Sequence, residues 1–267
     1  MTTPTSTATD PEAVAALNDI VMADDVSASL WAAIDSGRID PLVPELRALR
    51  MEQDPIHRHK DVLSHTVAVV AKTPADLIVR LAALFHDIAK PKTRSFEHGG
   101  VTFRHHEVVG GRMTRKRMAS MGYDDATIDA VSELVRLSGR FKGYAEGWSD
   151  AAVRRYARDA GPLLGRLNAL VRSDCTTRNQ NKAQALQEAI DDLERRIAEL
   201  AEEDRRNAER PQIDGDEVMA HLGIGPGREV GEIMRWLLEL KRTEGELPSD
   251  ELLARLDQHW AERAHTS

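Results

Sequence analysis

Apolar residues recur at three- and four-residue spacing along most of the chain, and that period predicts helices. "KDVLSHTVAVVAKT" carries Val62, Thr66, Val69 and Val70 at this spacing, with His65 among them. In "PADLIVRLAALFHDIA", Leu77, Leu81, Leu84 and Ile88 make one stripe, which Ile78, Ala82 and Phe85 widen. Only Arg80 interrupts it. This helix is predicted to be buried on nearly all sides, with Pro74 in its first turn and Pro91 as its stop. Shorter helices are predicted in "PEAVAALNDIVM" and "DVSASLWAAIDSG", the second ending at Gly37. Three more are "EVVGGRMTRKRMASMG", closed by Gly122, "DDATIDAVSELVRLSG", closed by Gly139, and "SDAAVRRYARDAG", with Ser149 as N-cap and Gly161 as stop. "PLLGRLNALVRSDCTTR" sets Leu163, Leu167, Leu170 and Asp174 on one face. The one hairpin signal is "RSFEHGGVTFRHH", two short segments around Gly99 and Gly100.

From Asn181 to Arg210 the apolar positions are Leu186, Ile190, Leu193, Ile197 and Leu200, spaced four and three. That is a heptad seam, and it needs a partner helix from this chain or from a second copy, so it admits a homodimer. "RPQIDGDEVMAHLGIGPGREVGEIMRWLLELKRTEGEL" reads as a separate helix-turn-helix unit broken by "GIGPG". The pattern predicts an all-α chain: a helical bundle, a long amphipathic helix and a small helical tail. It divides into a disordered leader (1–24), a helical connector (25–53), a bundle (54–178) and the helical tail (179–267).

Composition agrees. Aromatic residues make up 4% of the 267, while alanine and leucine dominate, which favours helix over sheet. Cys175 is the only cysteine, so no intrachain disulfide forms and a reducing, cytoplasmic setting is expected. No apolar run reaches membrane-spanning length. The net charge of −8 disfavours a protein that coats nucleic acid with its whole surface. Basic residues are nevertheless concentrated in "RHHEVVGGRMTRKRM" (104–118) and "RRYAR" (154–158), which permits a local phosphate-binding patch. Trp148, Trp236 and Trp260 are scattered and suggest no base-stacking platform.

Four residues stand out against the apolar stripes. His65, His86, Asp87 and Asp174 are polar groups set in, or at the end of, helices that are otherwise buried. Singly, each has an ordinary partner: a histidine bonds a backbone carbonyl, an aspartate caps a helix. Together they are harder to satisfy, and one divalent cation would satisfy all four, since imidazole nitrogen and carboxylate oxygen are suitable ligands.

The same residues carry a resemblance. "HT" at His65, "HDIAK" at His86–Lys90, "HHE" at His105–Glu107 and the later Asp174 are similar to the HD superfamily of metal-dependent phosphohydrolases. The resemblance implies an HD-domain bundle over 54–178, with one divalent ion (Mn, Ni, Co, Fe or Mg) held by His65, His86, Asp87 and Asp174. More narrowly, "LRMEQDPIHRHKDVLSHTVAVV", "GGVTFRHHEVVGGRM", "SDCTTRN" and "HLGIGPGREVGE" resemble the C-terminal half of actinobacterial CCA-adding tRNA nucleotidyltransferases. Those enzymes carry a nucleotidyltransferase head before this region. The residues that precede the resemblance here contain neither a glycine-rich turn nor two aspartates one residue apart, so this chain alone is not expected to add nucleotides. Ser138 and Lys142 stand where many family members have histidines, which implies one metal rather than two.

Two functions follow as expectations. One is a phosphohydrolase or phosphodiesterase acting on a nucleotide, a cyclic phosphate or an RNA end. The other is the tRNA-binding body of a CCA-adding enzyme without its head. For hydrolysis the catalytic candidates are Asp87, Lys90 as a phosphate-binding cation or an exposed helix end, and His105 or His106 as proton donor. Arg58, Arg104, Arg112 and Arg115 are candidates for substrate or RNA phosphate. Asp61, one turn before His65, either receives the second ring proton of His65 or favours the helix N-terminus by its charge. Cys175 is expected to be a small buried filler.

Overall fold

The computed structural model describes residues 11–51, 61–97, 100–177, 179–208 and 210–264, and these group into two compact units, up to Ile197 and from Ala198 onward. The first unit holds α1 (Pro11–Met22), α2 (Val26–Asp35), α3 (Val62–Lys72), α4 (Leu77–Phe85) and the single turn α5 (Lys90–Thr93). After an antiparallel hairpin of β1 (Arg94–Glu97) and β2 (Gly100–Phe103) come α6 (His106–Met121), α7 (Asp125–Leu137), α8 (Asp150–Ala160) and α9 (Leu164–Asp174). The long α10 (Gln180–Ala208) begins in this unit and ends in the second. No described helix is long and apolar enough to cross a membrane.

Helix α4 is the centre of the first unit. It packs against α1, α3, α7 and α9, and every residue from Val79 to Phe85 is buried, as its nearly all-round apolar pattern requires. Its start differs from expectation. Asp76 caps it by accepting from the Val79 amide at 3.1 Å, so Pro74 lies before the helix. Its end comes at Phe85, and Pro91 sits instead in the first turn of α5, where its missing N–H costs nothing.

Arg80 interrupts the α4 stripe for a structural reason. Its Nη1 donates to the carbonyls of Val21 (2.8 Å) and Ala23 (3.3 Å), groups that the end of α1 leaves without helical partners. Arg80→Met keeps the stem but orphans both acceptors. It should lower unfolding stability by about 1–3 kcal/mol, read from urea denaturation. An unchanged midpoint would mean that water reaches these carbonyls.

The same contact corrects the expected leader. Residues 11–22 form a packed helix with Leu17, Ile20 and Val21 buried, because they cover α4. The described part of the expected connector 25–53, residues 25–51, likewise belongs to the body: α2 buries Val26, Leu30 and Ala33 and packs on α1 and α3.

The two glycines inside α6 allow close approach to α7. A β-carbon on Gly111 would lie 2.9 Å from the Ser132 carbonyl oxygen, and one on Gly110 would lie 3.2 Å from Val135. Helix α10 finds its partner in its own chain. Ile190 and Leu193 of the seam are fully buried. Around them Arg172 of α9 reaches Asp191 (2.6 Å) and Glu194 (2.8 Å), and Arg196 reaches Asp150 (2.9 Å).

The second unit has its own core of Val218, Ile233, Leu237, Leu240, Leu252 and Leu256. These come from α11 (Gly215–Leu222), α12 (Arg228–Glu244) and α13 (Ser249–Ala264). A capping box of Asp214 and Glu217 starts α11, and Gly223 (φ 66°) ends it. "GIGPG" separates α11 from α12 as the sequence predicts; the third helix of the tail, α13, extends that reading.

Candidate metal centre

Four helix ends and one helix middle converge in the first unit. His65 lies midway along α3, which Asp61 caps by accepting from the Ser64 amide at 2.6 Å. His86 is the C-cap of α4 and Asp87 follows it; Lys90 opens α5, His106 opens α6 and Asp174 closes α9. Helix α4 is the fixed element, since its buried stripe leaves its last turn one orientation.

The ring nitrogens are oriented by their outer bonds. His86 Nδ1 donates to the Ala83 carbonyl at 2.7 Å, so its Nε2 presents a lone pair inward when the ring is neutral. His65 Nδ1 meets Thr176 Oγ1 at 2.9 Å. Thr176, not Asp61, therefore sets the His65 ring; Asp61 serves the helix start. Lys72 Nζ donates to the Cys175 carbonyl and ties this loop to α3. Cys175 is half-buried rather than a core filler.

Nε2 of His65 and Nε2 of His86 face each other at 3.4 Å. Asp174 Oδ1 lies 2.9 Å from the first and 3.6 Å from the second. Asp87 Oδ2 lies 3.7 Å and 3.2 Å from the same two atoms. Bonds of about 2.1 Å at right angles would set neighbouring ligand atoms about 3 Å apart. The observed spacing is close to that, and His65, His86 and Asp87 form a group of metal-ligand geometry.

Charge shows the same demand for a cation. Burial pushes the His86 imidazole down, but Asp87 and then Asp174 outweigh it and raise its pKa to about 9. Burial also opposes ionisation of Asp87, yet His86 and Lys90 hold its carboxyl well below the usual carboxylate range. Asp174 is lowered as well: desolvation works against it and the His65 bond prevails. Asp87, buried, and Asp174, half-exposed at the rim, thus both stay ionised and draw positive charge from whatever is nearest.

Two further residues join the cluster. Lys90 is buried, not an exposed helix end; its Nζ donates to Asp87 Oδ2 at 2.8 Å and lies 5.6 Å over the Phe103 ring. His106 is buried, donates from Nδ1 to the Phe103 carbonyl at 2.8 Å, and sets Nε2 3.6 Å from Asp87 Oδ1. Burial lowers its pKa.

The other candidates stay apart. His105 is exposed, with a left-handed backbone (φ 60°) one residue before α6. Arg104 and Arg112 are exposed. Arg115 is engaged by Asp129 (2.6 Å) and Ser132 (3.2 Å). Arg58, with His57 and His59, lies outside the described residues. Ser138 returns its hydroxyl to the Val135 carbonyl at 2.9 Å, and Lys142 pairs with Glu107 at 2.9 Å.

Comparison with known proteins gives this arrangement its context. An A-adding tRNA nucleotidyltransferase of Deinococcus radiodurans is 29% identical over 254 residues, 92% of this chain and 57% of that protein. A CC-adding tRNA nucleotidyltransferase of Thermus thermophilus is 32% identical over 224 residues, 80% of this chain and 48% of that protein. The chain therefore spans about half the length of these relatives. The HD domain profile matches residues 62–204, a span that includes His65, His86, Asp87, His106 and Asp174. With more than half its residues in that match and its paired His86 and Asp87 at the centre of the bundle, the chain belongs to the HD domain family.

Proposed function

We propose that the first unit is a metal-dependent phosphohydrolase or phosphodiesterase acting on a nucleotide, a cyclic phosphate or an RNA end. The observation that carries this reading is the close group of His65, His86 and Asp87, with Asp174 Oδ1 beside it, 2.9 Å from His65 Nε2 and 3.6 Å from His86 Nε2. These four would hold one divalent ion, which would supply Lewis-acid activation of water and of a phosphoryl oxygen near neutral pH. Four protein ligands leave open positions on a six-coordinate ion. Lys142 favours a single metal, because its ammonium already neutralises Glu107 next to His106.

The protein groups then have distinct tasks. Lys90 holds Asp87 ionised and fixed, and it adds the positive charge that a phosphate oxygen requires. His106 keeps its proton on Nδ1 for the Phe103 carbonyl, so Nε2 faces the cluster as an acceptor. That suits it to take a proton from attacking water better than to donate one to a leaving group. His105, exposed before α6, has no such position.

The test uses the whole chain. Metal content is measured, then 2′,3′-cyclic nucleotides and a generic phosphodiester are assayed with manganese, nickel or cobalt. Turnover that needs added metal and stops with a chelator is expected; no turnover with any metal would sink the reading. A second reading rests on the two relatives, whose names are tRNA nucleotidyltransferases and whose similarity reaches the second unit. There the chain is a tRNA-binding body, and tight, salt-sensitive tRNA binding without turnover would favour it.

A further inference from the structure

The run Arg154–Arg158 and the lone Trp148 take no part in the cluster around His86, but the fold brings them together elsewhere. A cavity of about 210 Å³ is lined by Leu137, Leu167, Ala152, Trp148, Tyr156, Arg155 and the ion pair of Arg140 with Asp159. The indole of Trp148 is held by three other rings, with centroids 5.2 Å from Tyr144, 5.6 Å from Tyr156 and 6.4 Å from Phe141. Trp236 and Trp260 pack elsewhere, in the second unit, so the ring cluster is built from Trp148 and its near neighbours in sequence. The Tyr156 hydroxyl donates to Asn168 at 2.8 Å, so the ring is what this residue offers to the cavity.

Its cations differ in state. Arg140 is held by Asp159 at 2.8 Å. The Arg155 guanidinium has no hydrogen-bond or ion-pair partner among the described residues, and Arg155 is exposed. An aromatic wall, an apolar floor and an unpaired guanidinium together match a ligand with one planar ring system and one anionic group. The volume of about 210 Å³ is below the roughly 300–1,000 Å³ of drug-sized pockets, which suits one base rather than a dinucleotide. Leu167 precedes Asp174 by two turns of α9, roughly 10 Å along the helix axis, so the cavity is separate from the metal cluster.

We propose that this cavity binds a nucleoside monophosphate unit, with the base against Trp148 and the phosphate on Arg155. The unit belongs either to a free mononucleotide or to an RNA strand. The inference does not depend on metal-assisted hydrolysis. Calorimetric titrations of the whole chain are therefore run with a chelator present, using AMP, adenosine, ribose 5-phosphate and a short single-stranded oligoadenylate.

AMP should bind at least about tenfold more tightly than adenosine or ribose 5-phosphate, since it alone offers both stacking and charge. Arg155→Ala, at an exposed position, should weaken AMP by about tenfold and leave adenosine unchanged. Ala152→Leu, which fills the cavity, should abolish both, whereas Asp87→Asn should change neither. An oligonucleotide tighter than AMP assigns the site to RNA; equal affinity assigns it to mononucleotides. No binding of AMP or oligonucleotide at millimolar concentration, or AMP binding indifferent to both Arg155→Ala and Ala152→Leu, would overturn the proposal.

Discussion

Asp87→Ala should abolish the proposed metal-dependent phosphodiester hydrolysis and the divalent-ion binding proposed for the cluster. The carboxylate is 1% exposed and touches every member of the cluster except Asp174 within 3.7 Å: His86, His65, Lys90 and His106. Loss of an outer hydrogen-bond partner of a metal ligand already costs roughly 10–100-fold, so loss of a ligand should exceed about 100-fold in both metal affinity and rate. Stability should fall too. Lys90 would be left buried and unpaired, and breaking a buried ion pair from one side costs about 3–5 kcal/mol. The double variant Asp87→Ala/Lys90→Met separates the two effects. It should recover most of the stability, because neither charge remains buried, and none of the activity. Metal content by elemental analysis, urea melts and hydrolysis rates together decide the outcome. A single variant that keeps its metal would remove Asp87 from the ligand set.

The cluster was legible because a polar residue within an apolar stripe is an anomaly that sequence displays. His65 in "LSHTVAVV" and the His86–Asp87 pair after "LAALF" need no structure to be noticed, and neither does Asp174 on the stripe of Leu167 and Leu170. What orients them was less visible. Helical spacing points from Asp61 to His65, but Asp61 has extended backbone (φ −72°, ψ 163°) and its carboxylate is taken by the Ser64 amide. The true partner, Thr176, is 111 residues away, and only the course of α9 and the Lys72–Cys175 contact bring it in.

His105 and His106 could not be separated for a similar reason. Which of them faces inward depends on the residue at which α6 starts, and helix starts are the least determined feature of a periodic pattern. The Gly110–Gly111 pair poses the opposite problem. Glycine inside a helix costs about 1 kcal/mol relative to alanine, a local defect with no visible compensation in the sequence. Its compensation is long-range, in the closeness of α6 to α7. The heptad seam of α10 was equally plain, but a seam does not name its partner; the buried Ile190 and Leu193 show that this chain supplies one.

Phe85→Ala should be among the most destabilising single changes in the first unit. Phe85 is fully buried, one residue before His86, on the helix that packs against α1, α3, α7 and α9. Removing a buried phenyl ring loses its transfer free energy and leaves a cavity that the neighbours close only in part, together about 3–5 kcal/mol. Collapse is hindered here because α4 meets its neighbours on several sides, so no single helix can move in without leaving another contact. Urea unfolding of the whole chain measures the loss, provided the transition of the first unit is resolved from that of the second, which has a core of its own. Phe85→Leu, which keeps most of the apolar volume, should cost clearly less. A loss below about 1 kcal/mol for Phe85→Ala would mean that the α4 contacts relax freely. The position of His86 would then be set by its Nδ1 bond to Ala83 and its charged neighbours rather than by the packing of the helix that carries it.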